Sequence, residues 1–149
     1  MDNTAAIRQI KQDELPQLLE LYRCLHEVDP ELNPSDVNPI WIEICTSKNM
    51  HYLVVEVEGR LVASCVLMLI ANLTRGARPY GIIENVVTHS GFRRKGYGTA
   101  ILKKALEIAW EHQCYKVMLL TGSKKESTLR FYEQAGFKRG VKTGFIAKP

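Results

Sequence analysis

The stretch "IIENVVTHSGFRRKGYGTAILKKALEIAW", from Ile82 to Trp110, sets three elements in a fixed order. The apolar run Ile82–Thr88 reads as a central strand, interrupted only by Glu84 and Asn85. A basic turn carrying Gly96 and Gly98 follows. Next comes a helix whose Ile101, Leu102, Ala105, Leu106, Ile108 and Ala109 form one broad apolar face. The first amides of a helix have no partner within it, and the helix dipole favours an anion there. Gly96 and Gly98 open the backbone to close approach and permit positive φ; Arg93, Arg94 and Lys95 add positive charge. Together these features describe a diphosphate cradle. Taken alone, the turn reads equally well as a basic surface loop. There is no GxxxxGK[ST], and Gly96-Tyr97-Gly98 runs into Thr99-Ala100-Ile101 without completing GxGxxG. Nucleoside triphosphatase and nicotinamide chemistry are therefore disfavoured.

Working outward, "TAAIRQI" is a short strand and "KQDELPQLLELYRCLHEV" an amphipathic helix. Asp13 stands at its N-cap and Pro16 in its first turn. "DPELNPSDVNP" reads as a loop, and "PIWIEICTS" as a second, shorter helix. "HYLVVEVEGRLVASCVLML" is a hairpin turning at Glu58-Gly59. Beyond the central helix, "YKVMLLT" is a buried strand and "KESTLRFYEQAGF" a helix ended by Gly136. "FKRG" and "KTGFIAK" form a last hairpin. The expected order is β-α-α-β-β-β-α-β-α-β-β: a mixed α/β sheet flanked by helices, with at least one parallel crossover.

The chain has 149 residues, 46% of them hydrophobic and 24% charged, with a net charge of +4. That length suits one domain over residues 1–149 with a core of its own. The mild charge, with no basic run interleaved with aromatics, gives no reason to expect nucleic acid as a partner. No apolar run has the length of a membrane span, and "MDNTAAIRQI" lacks the pattern of a secretory leader. Cys24, Cys45, Cys65 and Cys114 are far apart with no CxxC pair, which suggests free thiols in a reducing cytoplasm and no metal site.

Arg93-x-x-Gly96-x-Gly98 resembles the (R/Q)xxGx(G/A) signature of the GNAT superfamily of N-acetyltransferases, and it lies between a strand and a long helix as in that family. "TLRFYEQAGF" (Thr128–Phe137) is similar to a second family signature, a helix ending in aromatic-Tyr-Glu-x-x-Gly-Phe. The resemblance implies the GNAT fold: a mostly antiparallel mixed sheet whose central parallel pair of strands splays apart. It implies acetyl-CoA as co-substrate, with the pyrophosphate on the turn Arg93, Arg94, Lys95, Gly96, Tyr97, Gly98 and Thr99. Val86, Val87 and Thr88 would be the strand edge for the pantetheine arm. A bulge often drives the splay in this family, but the sequence does not reveal one. Lys125 departs from the family pattern, in which an Asn seven residues before the tyrosine helps bind the cofactor; Lys125 or Ser127 would have to substitute. A homodimer, through the C-terminal strands, is also in keeping with the family.

Tyr132 matches the family's general acid for the departing thiolate. On residue type alone it reads as a core tyrosine. Glu84, a carboxylate inside an apolar strand, needs a compensating reason. It is a paired structural acid, a general base acting through water, or an anchor for the acceptor. Some members, glucosamine-phosphate acetyltransferases among them, carry acids at this strand position. Strand alternation sends Asn85 to the opposite face, as a hydrogen-bond partner on the helix side. Glu27, Asp29, Glu31 and Asp36 read either as a solvated acidic loop or as an acidic lip suited to amines, and Arg75 and Arg78 either as surface charges or as a clamp for a phosphate or carboxylate. The expected function is acetyl transfer to a primary amine of a small molecule or peptide. The alternative is a CoA- or acyl-CoA-binding sensor without turnover.

Overall fold

The computed structural model describes residues 4–149; residues 1–3 of the expected domain lie outside the described residues. Strand β1 (Ala5–Gln9) leads through a 3-10 turn into helix α1 (Leu15–Tyr22), then α2 (Pro34–Thr46). Strands β2 (Met50–Val57) and β3 (Arg60–Ile70) form the expected hairpin. It turns on Glu58 (φ 50°) and Gly59 (φ 78°), the two left-handed residues that a twist-matched hairpin turn requires. A short turn, α3 (Thr74–Ala77), precedes β4 (Tyr80–Thr88). Helix α4 (Tyr97–Glu111), strand β5 (Val117–Leu119) and helix α5 (Glu126–Gln134) follow.

The five strands lie in the order β1-β2-β3-β4-β5, antiparallel except for the parallel pair β4–β5. Neighbouring residues show the two faces of the sheet. Val55 packs with Ile101, Leu102, Ala105 and Ala109 of α4, while Val54 packs with Leu18 of α1 and Trp41 of α2. Arg8 on β1 fixes the head of α1 to the sheet: it donates to Glu14 at 2.6 and 2.8 Å and to Glu56 on β2 at 3.0 Å.

Three sequence expectations are corrected. The last hairpin does not form, since residues 138–149 contain no strand. Gly140 and Gly144 interrupt the segment, and β5, only three residues long, gives it little edge to pair with. The proline-rich loop is partly helix. Pro34 occupies the first turn, where no N–H is needed, and the Asn33 side chain accepts from Ser35 N at 3.1 Å. Asp13 is not the cap; the Glu14 carboxylate instead accepts from Lys11 N at 2.8 Å.

Candidate active site

The site lies where β4 and β5 part. Their pairing covers Gly81–Val117, Ile82–Met118 and Ile83–Leu119, after which β5 ends while β4 runs on to Thr88. The cause is local. Ile83 and Val86 both pack into the cluster under α4, although strict alternation would send residues three apart to opposite faces. Glu84 and Asn85 therefore count as one step. The register against β3 shifts between Ser64 and Val66 at this point, and Asn85 has φ 52°. This is a β-bulge. It leaves both Glu84 and Asn85 exposed, which corrects the simple alternation expected of Asn85. Glu84 meets its desolvation problem by solvation in the cleft and not by an ion pair: among the described residues no salt bridge includes it.

Tyr132 lies on the other side of the split. Its half-buried ring packs 4.9 Å from Phe131 and edge-on to Phe137 at 6.5 Å. Gly136, at φ 107°, reverses the chain after α5 so that Phe137 N donates to Tyr132 O at 3.1 Å. This is the glycine-dependent helix end expected from the sequence. Burial, and next the negative charge of Glu84, push the Tyr132 phenol pKa up, so it is a proton donor at neutral pH. A 130 Å³ pocket beside it is lined by Leu119, Thr121, Leu129 and Phe137.

The glycine turn has a division of labour that the sequence did not expose. Gly96 is left-handed (φ 84°), and a Cβ there would meet nothing within 4 Å, so this position is open as a cradle would be. Gly98 is inside α4 and is needed for packing: a Cβ there would come within 3.0 Å of the Phe131 ring and 3.3 Å of Thr88 Oγ1. No side chain caps α4, which leaves its first turn suited to an anion. Arg94 is exposed, with φ 61°, and Lys95 lies over the Phe92 ring at 5.1 Å. Arg93 braces the turn, donating to Thr88 O at 3.2 Å and to Cys24 O at 3.5 Å. The Tyr97 side chain is core, whereas Thr99 is half-buried in the first turn. Val87 is buried, and Val86 and Thr88 are half-buried along the β4 edge beyond the split. Ser127 and Lys125 are exposed at the start of α5; the cap-like contact there is Lys125 N donating to Ser123 Oγ at 3.3 Å. These features fit a pyrophosphate at the head of α4 with an extended arm along β4.

A cavity of about 710 Å³ opens beneath the α1–α2 connection, lined by Tyr22, Arg23, His26, Glu27, Asp29 and Glu31 among others. Three of the four acids of the expected lip thus share one cavity; Asp36 is in the first turn of α2 instead. Arg78 donates to Gln113 O at 3.0 Å and to Cys114 O at 3.1 Å, so its guanidinium is engaged at the end of α4. All four cysteines are free, and burial pushes the Cys65 thiol up to about 12. Among the described residues no group of three or more His, Cys, Asp or Glu side chains is arranged for a metal ion, and no helix is long and apolar enough to cross a membrane.

Residues 15–137 match the model of the acetyltransferase (GNAT) family, and the chain belongs to that family. It is 41% identical over 80 residues to the glucosamine 6-phosphate N-acetyltransferase of Trypanosoma brucei brucei, a match covering 54% of this chain and 52% of that protein. The chain thus spans about half the length of that curated relative. A candidate acetyltransferase of Agrobacterium tumefaciens str. C58 superposes with a TM-score of 0.91 at 40% identity, covering 97% of this chain and 99% of the other. The glucosamine-6-phosphate N-acetyltransferase of Arabidopsis thaliana shares the fold, with a TM-score of 0.85 at 24% identity over 99% of both chains.

Proposed function

We propose that this chain transfers the acetyl group of acetyl-CoA to a primary amine of a small molecule or peptide by direct attack. Tyr132 carries the assignment: its phenol is half-buried, kept protonated, and faces the Glu84 charge across the split between β4 and β5. Acetyl-CoA supplies an activated thioester. The open turn around Gly96 and the first turn of α4 hold the diphosphate, and the free β4 edge from Val86 to Thr88 aligns the arm. Backbone amides on that edge stabilise the developing oxyanion. Glu84, solvated in the cleft, takes the proton from the arriving amine through water, and the Tyr132 Oη donates one to the departing thiolate. The acidic cavity wall at Glu27, Asp29 and Glu31 favours a cationic acceptor. The trypanosome relative's name puts amino sugar phosphates first among the acceptors to try.

The proposal includes a cytoplasmic location, which the four free thiols support, and a homodimer, which the exposed Val141, Phe145 and Ile146 of the C-terminal segment support. Neither nucleic acid nor membrane has a part in it. The deciding experiment is a panel of amino sugar phosphates, amino sugars, polyamines, amino acids, aminoglycosides and peptide N-termini, scored by CoA release with wild type and Tyr132→Phe. Turnover of at least one amine, lowered in the variant, is the expected result. CoA binding with no turnover on any amine would make the chain a CoA-binding module.

A further inference from the structure

Arg93 opens the basic turn, yet two of its donors go to backbone carbonyls. Its Nε donates to Thr88 O at 3.2 Å and an Nη to Cys24 O at 3.5 Å. Thr88 ends β4, the strand that runs on beyond the split. Cys24 belongs to the turn that continues α1, its N donating to Leu21 O at 3.0 Å. Carbonyls at a helix end need donors from outside the helix, and that end favours a cation. The guanidinium meets both needs, and its planar fork lets it hold two carbonyls at once. Cys24 sits among the residues that wall the cavity of about 710 Å³: Tyr22 and Arg23 precede it, and His26, Glu27 and Asp29 follow. From Arg23 to Asn33 the chain forms no helix or strand, and most of it is exposed. A segment of this kind opens readily unless it is tied down. Next to Arg93, Arg94 (φ 61°) and Gly96 (φ 84°) are left-handed and no side chain caps α4. A diphosphate there takes up the free amides and fixes the turn.

We propose that Arg93 is a positioning residue for the acceptor, coupling the cofactor turn to the wall of the acid-lined cavity. This rests on the acetyl-transfer reading and extends it. CoA bound on the turn fixes the Arg93 backbone. The guanidinium then holds Cys24, and with it residues 23–29, in place for the amine. The coupling runs both ways, since each ligand raises the affinity for the other by the same factor. Arg93 thus differs from its neighbour Arg94, whose exposed charge serves the diphosphate.

Hydrogen exchange with and without CoA, on wild type, Arg93→Lys and Arg94→Ala, reads the coupling without turnover. Lysine keeps the positive charge beside the diphosphate, but its single ammonium lacks the planar fork that spans Thr88 O and Cys24 O. In wild type, CoA should slow exchange over residues 23–32 by about 5-fold or more, the lower end of couplings between sites. Arg93→Lys should bind CoA with little change in affinity and keep the CoA-dependent protection over residues 94–99, but lose it over 23–32. Arg94→Ala should do the reverse: weaker CoA binding, with protection of 23–32 intact once CoA is saturating. On an amine that wild type acetylates, Arg93→Lys should raise the KM of the acceptor more than that of acetyl-CoA. Exchange over 23–32 that ignores CoA in wild type overturns the inference, as does CoA-dependent protection there that survives Arg93→Lys. Faster exchange in Arg93→Lys by the same factor with and without CoA also overturns it, making the tie purely structural. So does a loss of CoA affinity matching that of Arg94→Ala, which would make Arg93 a phosphate ligand. If no amine is acetylated but CoA protects 23–32 through Arg93, the acetyl-transfer reading fails while the coupling stands.

Discussion

In the proposed reaction Tyr132 and Glu84 act from opposite ends, and pH separates their roles. Tyr132→Phe keeps the packing against Phe131 and Phe137 and removes the donor. Turnover should fall by about 10²-fold with CoA affinity little changed, as read by steady-state rates and CoA titration. Since the Tyr132 phenol is shifted up, its ionisation should not limit the wild-type rate below about pH 10. Glu84→Gln should lower kcat/KM most at neutral pH, where the amine arrives protonated. The deficit should shrink as pH rises and solvent supplies the neutral amine; a pH-independent deficit would mean that Glu84 anchors the acceptor. A third residue concerns stability alone. His51, on β2, packs 5.5 Å from His112, and burial and then the His112 charge lower its pKa from the ordinary 6.5. The unfolded chain therefore takes up this proton at a higher pH than the folded one. His51's contribution is present above about pH 6.5, is lost as pH falls below that, and levels off beneath the folded pKa. His51→Phe should flatten this part of a melting-temperature–pH curve.

At the scale of elements, the decisive join is between the head of α4 and the side of α5. Gly98→Ala should drive a Cβ against Phe131, costing about 1–3 kcal/mol and lowering turnover through the displaced Tyr132. Gly96→Ala has open space but a disfavoured φ, so it should weaken CoA binding more than it perturbs Tyr132. Thermal melts and CoA titration of the two variants check this contrast. The two signatures were legible in the sequence because each has a strong local cause: positive φ with basic charge in one, a left-handed helix end in the other. The β2–β3 turn at Glu58-Gly59 was legible for the same reason. The bulge was not, because an asparagine between an apolar run and a carboxylate fits either alternation or its interruption. The separate duties of Gly96 and Gly98 were hidden too, since a glycine records no difference between room for a ligand and room for a ring from another helix. Arg93 looked like one more charge of the basic turn, and only its two carbonyl partners single it out. The failed last hairpin shows the converse: alternating Thr143, Phe145 and Ala147 suggest a strand, but pairing needs an edge longer than β5 provides.

At the scale of the whole molecule, the exposed Val141, Phe145 and Ile146 belong to a segment that packs lightly; Gly144 sits against Leu120, itself exposed. If a second copy covers these residues, light scattering should give a dimer mass, and removing residues 141–149 should return a monomer. A further consequence follows from the split sheet. Strands β1 to β4 are joined by long ladders, whereas β5 is joined to β4 by three residue pairs. The segment from β5 onward, with Tyr132 on it, is thus joined to the sheet by a short seam. Amide hydrogens of α5 should exchange through local opening well before those of β2 and β3. A ligand lying in the cleft touches both banks at once and closes this seam. CoA should therefore slow exchange in α5 far more than in the central strands, so that the element bearing the proposed proton donor becomes rigid only when the cofactor it would serve is bound.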